Sequence, residues 1–600
     1  MNGNNVRRLV GAVLLLVTAT ATAADPPLAR WRGTDLAGGA AARFGSTHHG
    51  EAGVNYVYAA PTCEHASMRA EFELSAVVAE PVFLHVLARD DDSSAVCPIE
   101  IRLNDAVLFE GPNTFGKAGF TLKRFAIPTG VLKLGKNELA IINRAAAGQA
   151  GMPPWFMVAR AAIGSADCDV NAPRPIEEDF VVRLPAERRP VPEPAKEGQR
   201  VSAFSIRGTK GWAWLPEQYL AEIPVLAKYK MNFLMNCYVS MFDIENQVWH
   251  SGEANRWWEP LPAEKRRKYE GIVRACQRDG IEFCFCMNPN LTSKRILDYD
   301  SGQDLDDLWQ HYAWMADLGV NWFSIALDDI SKGVDAAGQA RVTNEILRRL
   351  RAKNPKAQLI LCPTYYWGVG ENERYPWDTN GEGRAAAYLT DLAEHLHPDV
   401  YCFWTGDSVV GRITRAGAEA FKSRLKHRLI LWDNYPVNDQ HPTMHLGPVT
   451  GRDRDLCEVI DGYMSNPLCP QNEINRIPLI TQADYAYNPW RYDPARAIGQ
   501  AILHLSETPE QRQALKDLVE LYPGMLVYNK GPNWNPLVAR FNEIVSVPHS
   551  RYIAAAYLRH AEDVAARLDA AFPDRFKDAV KLLRTNIETM RTSYAAQYGR

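Results

Sequence analysis

Trp322-Phe-Ser-Ile-Ala-Leu-Asp-Asp-Ile330 runs five apolar residues and one serine into two adjacent carboxylates. A short, nearly unbroken apolar run of this kind fits a strand covered on both faces, as in a parallel sheet. Successive side chains on an extended chain face opposite ways, so Asp328 and Asp329 are expected in different environments, one ionised and the other holding a proton. Carboxylate pairs that cleave glycosides need that asymmetry. Either aspartate also fits the N-cap of a following helix, and the surrounding chain has to decide between the two readings.

Around this run the pattern of strand then helix repeats. Strands are predicted at Val201 to Gly208, Asn232 to Tyr238, Ile281 to Asn288, Trp322 to Asp328, Gln358 to Tyr366, Val400 to Thr405, Arg428 to Tyr435 and Gly462 to Asn466. Helical periodicity fills most of the intervals, for example Pro216 to Lys230 and Gln339 to Lys353. Eight alternations, with no glycine-rich dinucleotide turn after the first strand, predict a (β/α)8 TIM barrel over residues 200–489. Gly208, Asn236, Asn288, Asp328, Asp329, Tyr366, Thr405, Asn434 and Asn466 all fall at or just past the predicted strand ends. Barrel enzymes build their sites there.

The rest of the chain divides by composition. Residues 1–24 pair Arg7 and Arg8 with an apolar run from Leu9 to Val17 and then small residues, the order of a secretory signal; the protein is expected to be secreted or periplasmic. Residues 25–170 alternate apolar and polar in short runs such as Val82 to Ala88, predicting a jelly-roll-like β-sandwich that serves either carbohydrate binding or spacing. Residues 171–199 are rich in proline and charge and read as a linker. Residues 490–600 carry apolar positions every three or four residues, predicting a C-terminal helical bundle, packed on the barrel or serving assembly.

Composition excludes several classes. A net charge of -4 gives no footprint for nucleic acid, and no run beyond the leader is long and apolar enough for an integral membrane segment. Eleven cysteines lie mostly inside apolar runs, as in Cys284-Phe-Cys286, and are expected as buried thiols; Cys63, Cys97 and Cys168 leave room for one bridge. Metal-ligand spacings and cofactor motifs are missing, so neither a metal nor a cofactor is expected. The pattern specifies no oligomeric state.

Six segments then occur in a telling order: Arg207-Gly-Thr-Lys-Gly-Trp-Ala-Trp214, Leu327-Asp-Asp-Ile330, Leu361-Cys-Pro-Thr-Tyr-Tyr366, Phe403-Trp-Thr-Gly406, Leu431-Trp-Asp-Asn-Tyr-Pro-Val-Asn-Asp439 with His445-Leu-Gly-Pro-Val449, and Ser465-Asn-Pro467. Together they resemble glycoside hydrolase family 84, the retaining β-N-acetylglucosaminidases that include the O-GlcNAcases. The resemblance covers about Val201 to Tyr492. It implies substrate-assisted catalysis, in which the acetamido oxygen of the sugar attacks the anomeric carbon and forms an oxazoline. By the same match Asp328 orients the acetamido N–H, and Asp329 protonates the leaving oxygen and later deprotonates water. Tyr366 donates to the anomeric region, and Asn434, Asp439 and Asn466 hold sugar hydroxyls. Cys362 and Trp432 line the pocket, with Gly208 and Asn236 at neighbouring strand ends. Turn-forming remains an alternative for Asn434 and Asn466, as does core packing for Cys362 and Trp432.

Two departures stand out. The lysine that usually follows the second strand is replaced by Val239 in Asn232-Phe-Leu-Met-Asn-Cys-Tyr-Val-Ser240, with Asn236 a partial substitute. Arg207 stands where an acid is usual, and Tyr365 where a glutamate is usual. The chain therefore reads as an exported exo-β-N-acetylglucosaminidase acting on carbohydrate or glycoprotein. The alternatives are a catalytically impaired sugar-binding protein on the same barrel and a hydrolase of a different glycoside.

Overall fold

The computed structural model describes residues 28–41, 47–48, 51–52, 54–59, 65–74, 81–91, 93, 96–146, 153–166, 168, 170, 180–193, 203–241, 255–371, 385–439, 441–469, 473–546 and 551–599. The expected leader, most of the expected linker and Cys63 lie outside them. The chain forms two compact units that divide after Ile176.

In the first unit, one antiparallel sheet is centred on Val82–Asp90 and Trp155–Gly164, and a second runs Ser67–Leu74, Gly135–Asn143, Pro98–Leu103, Ala106–Pro112. Alternation in the sequence puts Leu84, Val86, Ile99, Ile101, Leu139, Ile141 and Phe156 into one shared apolar core. Cys97 and Cys168 are both buried, Cys97 as a free thiol.

The second unit holds a closed parallel barrel of eight strands in sequence order. They are β1 Ile206–Gly211, β2 Phe233–Asn236, β3 Glu282–Met287, β4 Trp322–Ala326, β5 Gln358–Cys362, β6 Tyr401–Trp404, β7 Arg428–Pro436 and β8 Gly462–Asn466. Every residue of β2 and β8 is buried, which is why these strands read as continuous runs without alternation. The helix after β4, Ala336–Lys353, is capped by Asp335, whose Oδ1 accepts from the Gly338 amide at 3.1 Å. Asp328 and Asp329 are thus released from the capping role that the sequence alone left open.

Beneath the site, β7 is pinned by a buried ion pair. Arg452 donates to both oxygens of Asp433, Nε to Oδ2 at 2.9 Å and Nη2 to Oδ1 at 2.5 Å, and Tyr463 adds a hydroxyl donor at 2.7 Å. Two-pronged geometry with every charge matched makes such a pair tolerable in the interior. Arg452→Met strands a buried carboxylate and should cost about 3–5 kcal/mol, read as a lowered denaturation midpoint of this unit; an unchanged midpoint would show that Asp433 finds another donor.

Two expectations need correcting. The first strand is β1 Ile206–Gly211, so Gly208 sits inside it and not at its end. A Cβ there would collide with the Phe233 carbonyl oxygen, and close approach of β2 accounts for the glycine. The described part of the linker, residues 180–193, is also no free tether. Arg188 donates to the Ser506 carbonyl at 2.6 Å, the Arg189 amide to Gln500 at 2.9 Å, and the Val182 amide to Glu520 at 2.9 Å. Proline-rich composition removed backbone donors without removing these side-chain anchors.

The C-terminal helices share the barrel's core. Tyr522, Phe541, Leu568 and Leu583 belong to the same apolar cluster as Ile325 and Leu361. The segment His445 to Val449 makes the join: the Leu446 amide donates to the Tyr522 carbonyl at 2.9 Å, and Tyr435 donates its hydroxyl to the Gly447 carbonyl at 2.7 Å. Among the described residues no helix is long and apolar enough to cross a membrane.

Candidate active site

The acid pair lies just past the end of β4. Leu327, the residue before it, is held on two sides: its amide donates to the Cys362 carbonyl at 2.9 Å, and its carbonyl accepts from Thr364 Oγ1 at 2.9 Å. Gln339 supports Thr364 in turn through Nε2 at 3.1 Å. The chain then leaves the strand, and Asp329 adopts φ 57°. Aspartate enters this left-handed region more readily than most residues, at a cost on the order of 1 kcal/mol. Strand alternation stops at Ala326, so opposite-facing side chains are not what separates the two acids. Their hydrogen-bond partners separate them.

Asp328 is buried and receives two donors. Tyr238 gives its hydroxyl to Oδ2 at 2.9 Å, and Asn288 gives Nδ2 to Oδ1 at 3.3 Å and to the Asp328 carbonyl at 3.1 Å. Desolvation raises the Asp328 carboxyl above the usual range, opposed by the Lys210 cation and these donors. Tyr238 is itself held protonated, first by burial and then by the two carboxylates, so it serves only as a donor. Asp329 is reached by solvent and, among the described residues, receives a single side-chain donor, the Tyr366 hydroxyl, at 2.9 Å on Oδ1. Crowding by protein atoms pushes its carboxyl up, the neighbouring Asp328 charge adds to that, and the value rises to about 7. The pair titrates as a unit. Two donors and a nearby cation favour the charge on Asp328 and the proton on Asp329.

The wall opposite is built from β7, β8 and β1. Asn466 donates Nδ2 to Asn434 Oδ1 at 2.9 Å, and Asn434 donates to the Val409 carbonyl at 2.9 Å. Asn466 Oδ1 and Trp432 Nε1 are buried without a hydrogen-bond partner among the described residues. Each such group costs about 1–3 kcal/mol that a bound ligand can return. Asp439, at φ 45° and solvent-accessible, is pushed up by partial desolvation, opposed by His441 and Lys210. Cys362 is buried with its thiol pushed well up, first by burial and then by the Asp328 charge.

Most of the residues singled out from sequence thus surround one space: Asp328, Asp329, Cys362, Tyr366, Trp432 and Asp439 interact with one another or with the same lysine, and Asn434 and Asn466 pair beside them. Asn236 does not join them. Its Oδ1 accepts from the Cys286 amide at 2.8 Å, and its Nδ2 donates to the Cys286 carbonyl at 2.9 Å and the Cys237 carbonyl at 3.3 Å, so the amide splices β2 to β3 and both its N–H donors are taken. Arg207 also lies away from the pocket, donating to the Lys230 and Phe204 carbonyls, and Tyr365 packs against Tyr388 with centroids 5.3 Å apart. Sequence reasoning assigned no role to Tyr238, and Asn288 was noticed only as a polar strand end. Lys210 was missed altogether, although two tryptophans follow it within four residues.

The sequence profile of the beta-N-acetylglucosaminidase family matches residues 206–520, more than half of the chain. The chain belongs to this family. The resemblance to glycoside hydrolase family 84 is thereby borne out, and the match of this β-N-acetylglucosaminidase family member runs beyond the barrel into the helix Pro509–Leu521. The protein O-GlcNAcases of Rattus norvegicus and Mus musculus are each 25% identical to it over 292 residues, covering 47% of this chain and 29% of theirs. The family member therefore spans under a third of the length of these curated relatives. A mutant form of the Thermobaculum terrenum O-GlcNAc hydrolase has the same fold, with TM-score 0.51 and 21% identity over 65% of this chain and 82% of that one.

Proposed function

We propose that the chain is a retaining exo-β-N-acetylglucosaminidase that hydrolyses terminal N-acetylglucosamine-type glycosides with help from the substrate's own acetamide. The observation that carries this reading is the unequal holding of two adjacent acids among the described residues, Asp328 by Tyr238 and Asn288, and Asp329 by Tyr366. Ionised Asp328 accepts the acetamido N–H and balances positive charge as the amide oxygen bonds to the anomeric carbon. Asp329 gives its proton to the departing oxygen. Water then opens the oxazoline, with Asp329 taking a proton back, so the configuration is retained. Neither step needs a metal or cofactor.

An aryl N-acetyl-β-glucosaminide compared with the matching aryl β-glucoside tests this. Turnover of the first only is expected; equal turnover of both would remove the acetamide from the mechanism. The first step also requires protonated Asp329. Its raised pKa of about 7 means that the proton is present below that pH and lost above it, so kcat/KM should fall on the alkaline side of neutrality. A profile flat across neutral pH would count against Asp329 as the acid.

Extracytoplasmic location belongs to the same proposal, carried by Arg7, Arg8 and the apolar run that follows. Glycan binding by the first unit is proposed on architecture alone.

A further inference from the structure

Lys210 is the next-to-last residue of β1 and is 1% exposed. Its Nζ sits 3.8 Å from the ring centroid of Trp432, 4.7 Å from that of Tyr238 and 4.8 Å from that of Trp212. A buried ammonium is costly to desolvate, and aromatic faces offset part of that cost. They leave its three N–H donors without an oxygen. Among the described residues Nζ has no hydrogen bond and no ion pair, although its charge is felt at Asp328, Asp329 and Asp439.

Arg452, whose side chain is 2% exposed, behaves differently. It donates Nε and Nη2 to Asp433 and Nη1 to the Gly411 and Thr450 carbonyls, so four of its five N–H donors are taken by protein oxygens. Lys210 is held in place by ring faces while its hydrogens point to no protein acceptor, and three carboxylates stand around it beyond ion-pair distance. A bridging group with several oxygens fits between them, which is what a sugar's hydroxyls supply. Unpartnered Trp432 Nε1 and Asn466 Oδ1 belong to the same wall.

We propose that Lys210 is the sugar-contacting cation of the pocket, donating from Nζ to hydroxyl oxygens of the bound N-acetylhexosamine, and that it takes over from β1 the task left open by Val239. The proposal rests on the hexosaminidase reading and deepens it. Lys210 does not act on the reacting bond; it binds and selects the sugar.

The test measures kcat/KM for wild type and Lys210→Met on an aryl N-acetyl-β-glucosaminide and on its analogues lacking one ring hydroxyl each. A hydrogen bond to a charged donor predicts a loss of about 10- to 100-fold on the parent sugar. At least one deoxy analogue should lose a similar factor on wild type and no more on the variant. An equal loss on the parent and every analogue, or no loss, overturns the proposal. Where Lys210→Met does not fold, Lys210→Arg keeps the cation in the ring cage and is judged by the same coupling.

If wild type turns over no hexosaminide, the hydrolase reading fails, and titration with N-acetylglucosamine decides the lysine separately. Weaker binding by Lys210→Met supports its role, whereas equal or absent binding by both proteins overturns it.

Discussion

Asp329→Asn should lower kcat/KM by about 10²–10⁴-fold on an alkyl N-acetyl-β-glucosaminide, the range that a lost general acid commands. An aryl glycoside with a strongly acidic leaving group should lose much less, because its phenolate departs without a proton. The substitution is close to neutral for the fold. Asparagine tolerates the left-handed backbone of this position, and its carbonyl oxygen can still accept the Tyr366 hydroxyl now 2.9 Å away. Structural collapse would depress both substrates alike, so the leaving-group difference isolates proton transfer. The alkaline fall in kcat/KM should vanish with the acid that causes it. A variant that lost the same factor on both substrates, or kept the alkaline limb, would remove Asp329 from the role of proton donor.

The barrel was legible because each of its strands is buried on both faces, and burial writes itself as apolar runs such as Phe323, Ile325, Leu359 and Leu361. Where a strand lacks that signature, the reading slipped. Arg207 to Gly211 has two glycines and two cations, which look like a turn, yet the residues close β1 because Gly208 lets β2 approach and Gly211 faces the Tyr219 ring. Lys210 shares that disguise: lysine is seldom fully buried, and only the spatial gathering of Trp212, Tyr238 and Trp432 reveals what holds it. Asn236 misled in the opposite direction. Polar residues at strand ends usually face the site, but the backbone of β3 claimed this one, and such cross-strand splicing leaves no mark in a single sequence. The acid pair stands just past the end of β4, and Tyr238, Asn288 and Tyr366 create the difference between the two acids that strand alternation was expected to supply.

Asp328→Asn carries the second large effect, and its value lies in moving two observables at once. Asparagine keeps an oxygen that can accept an acetamido N–H, but it no longer carries the negative charge facing the positive centre that forms as the oxazoline closes. Removing a preorganised electrostatic partner of this kind costs about 10²–10³-fold in kcat. The interaction strengthens only in the transition state, so KM should change little. The pH profile should move as well. The Asp328 charge raises the Asp329 pKa, so neutralising it lowers that pKa and shifts the alkaline limb to lower pH. Lys210 acts on the same group with the opposite sign, and Lys210→Met should shift the limb upward. Measured side by side, the two variants bracket wild type. If Asp328→Asn left the limb in place or moved it upward, the two carboxyl groups would not be exchanging charge across the pocket, and a pair acting as one titrating unit would have to be abandoned even with the activity lost.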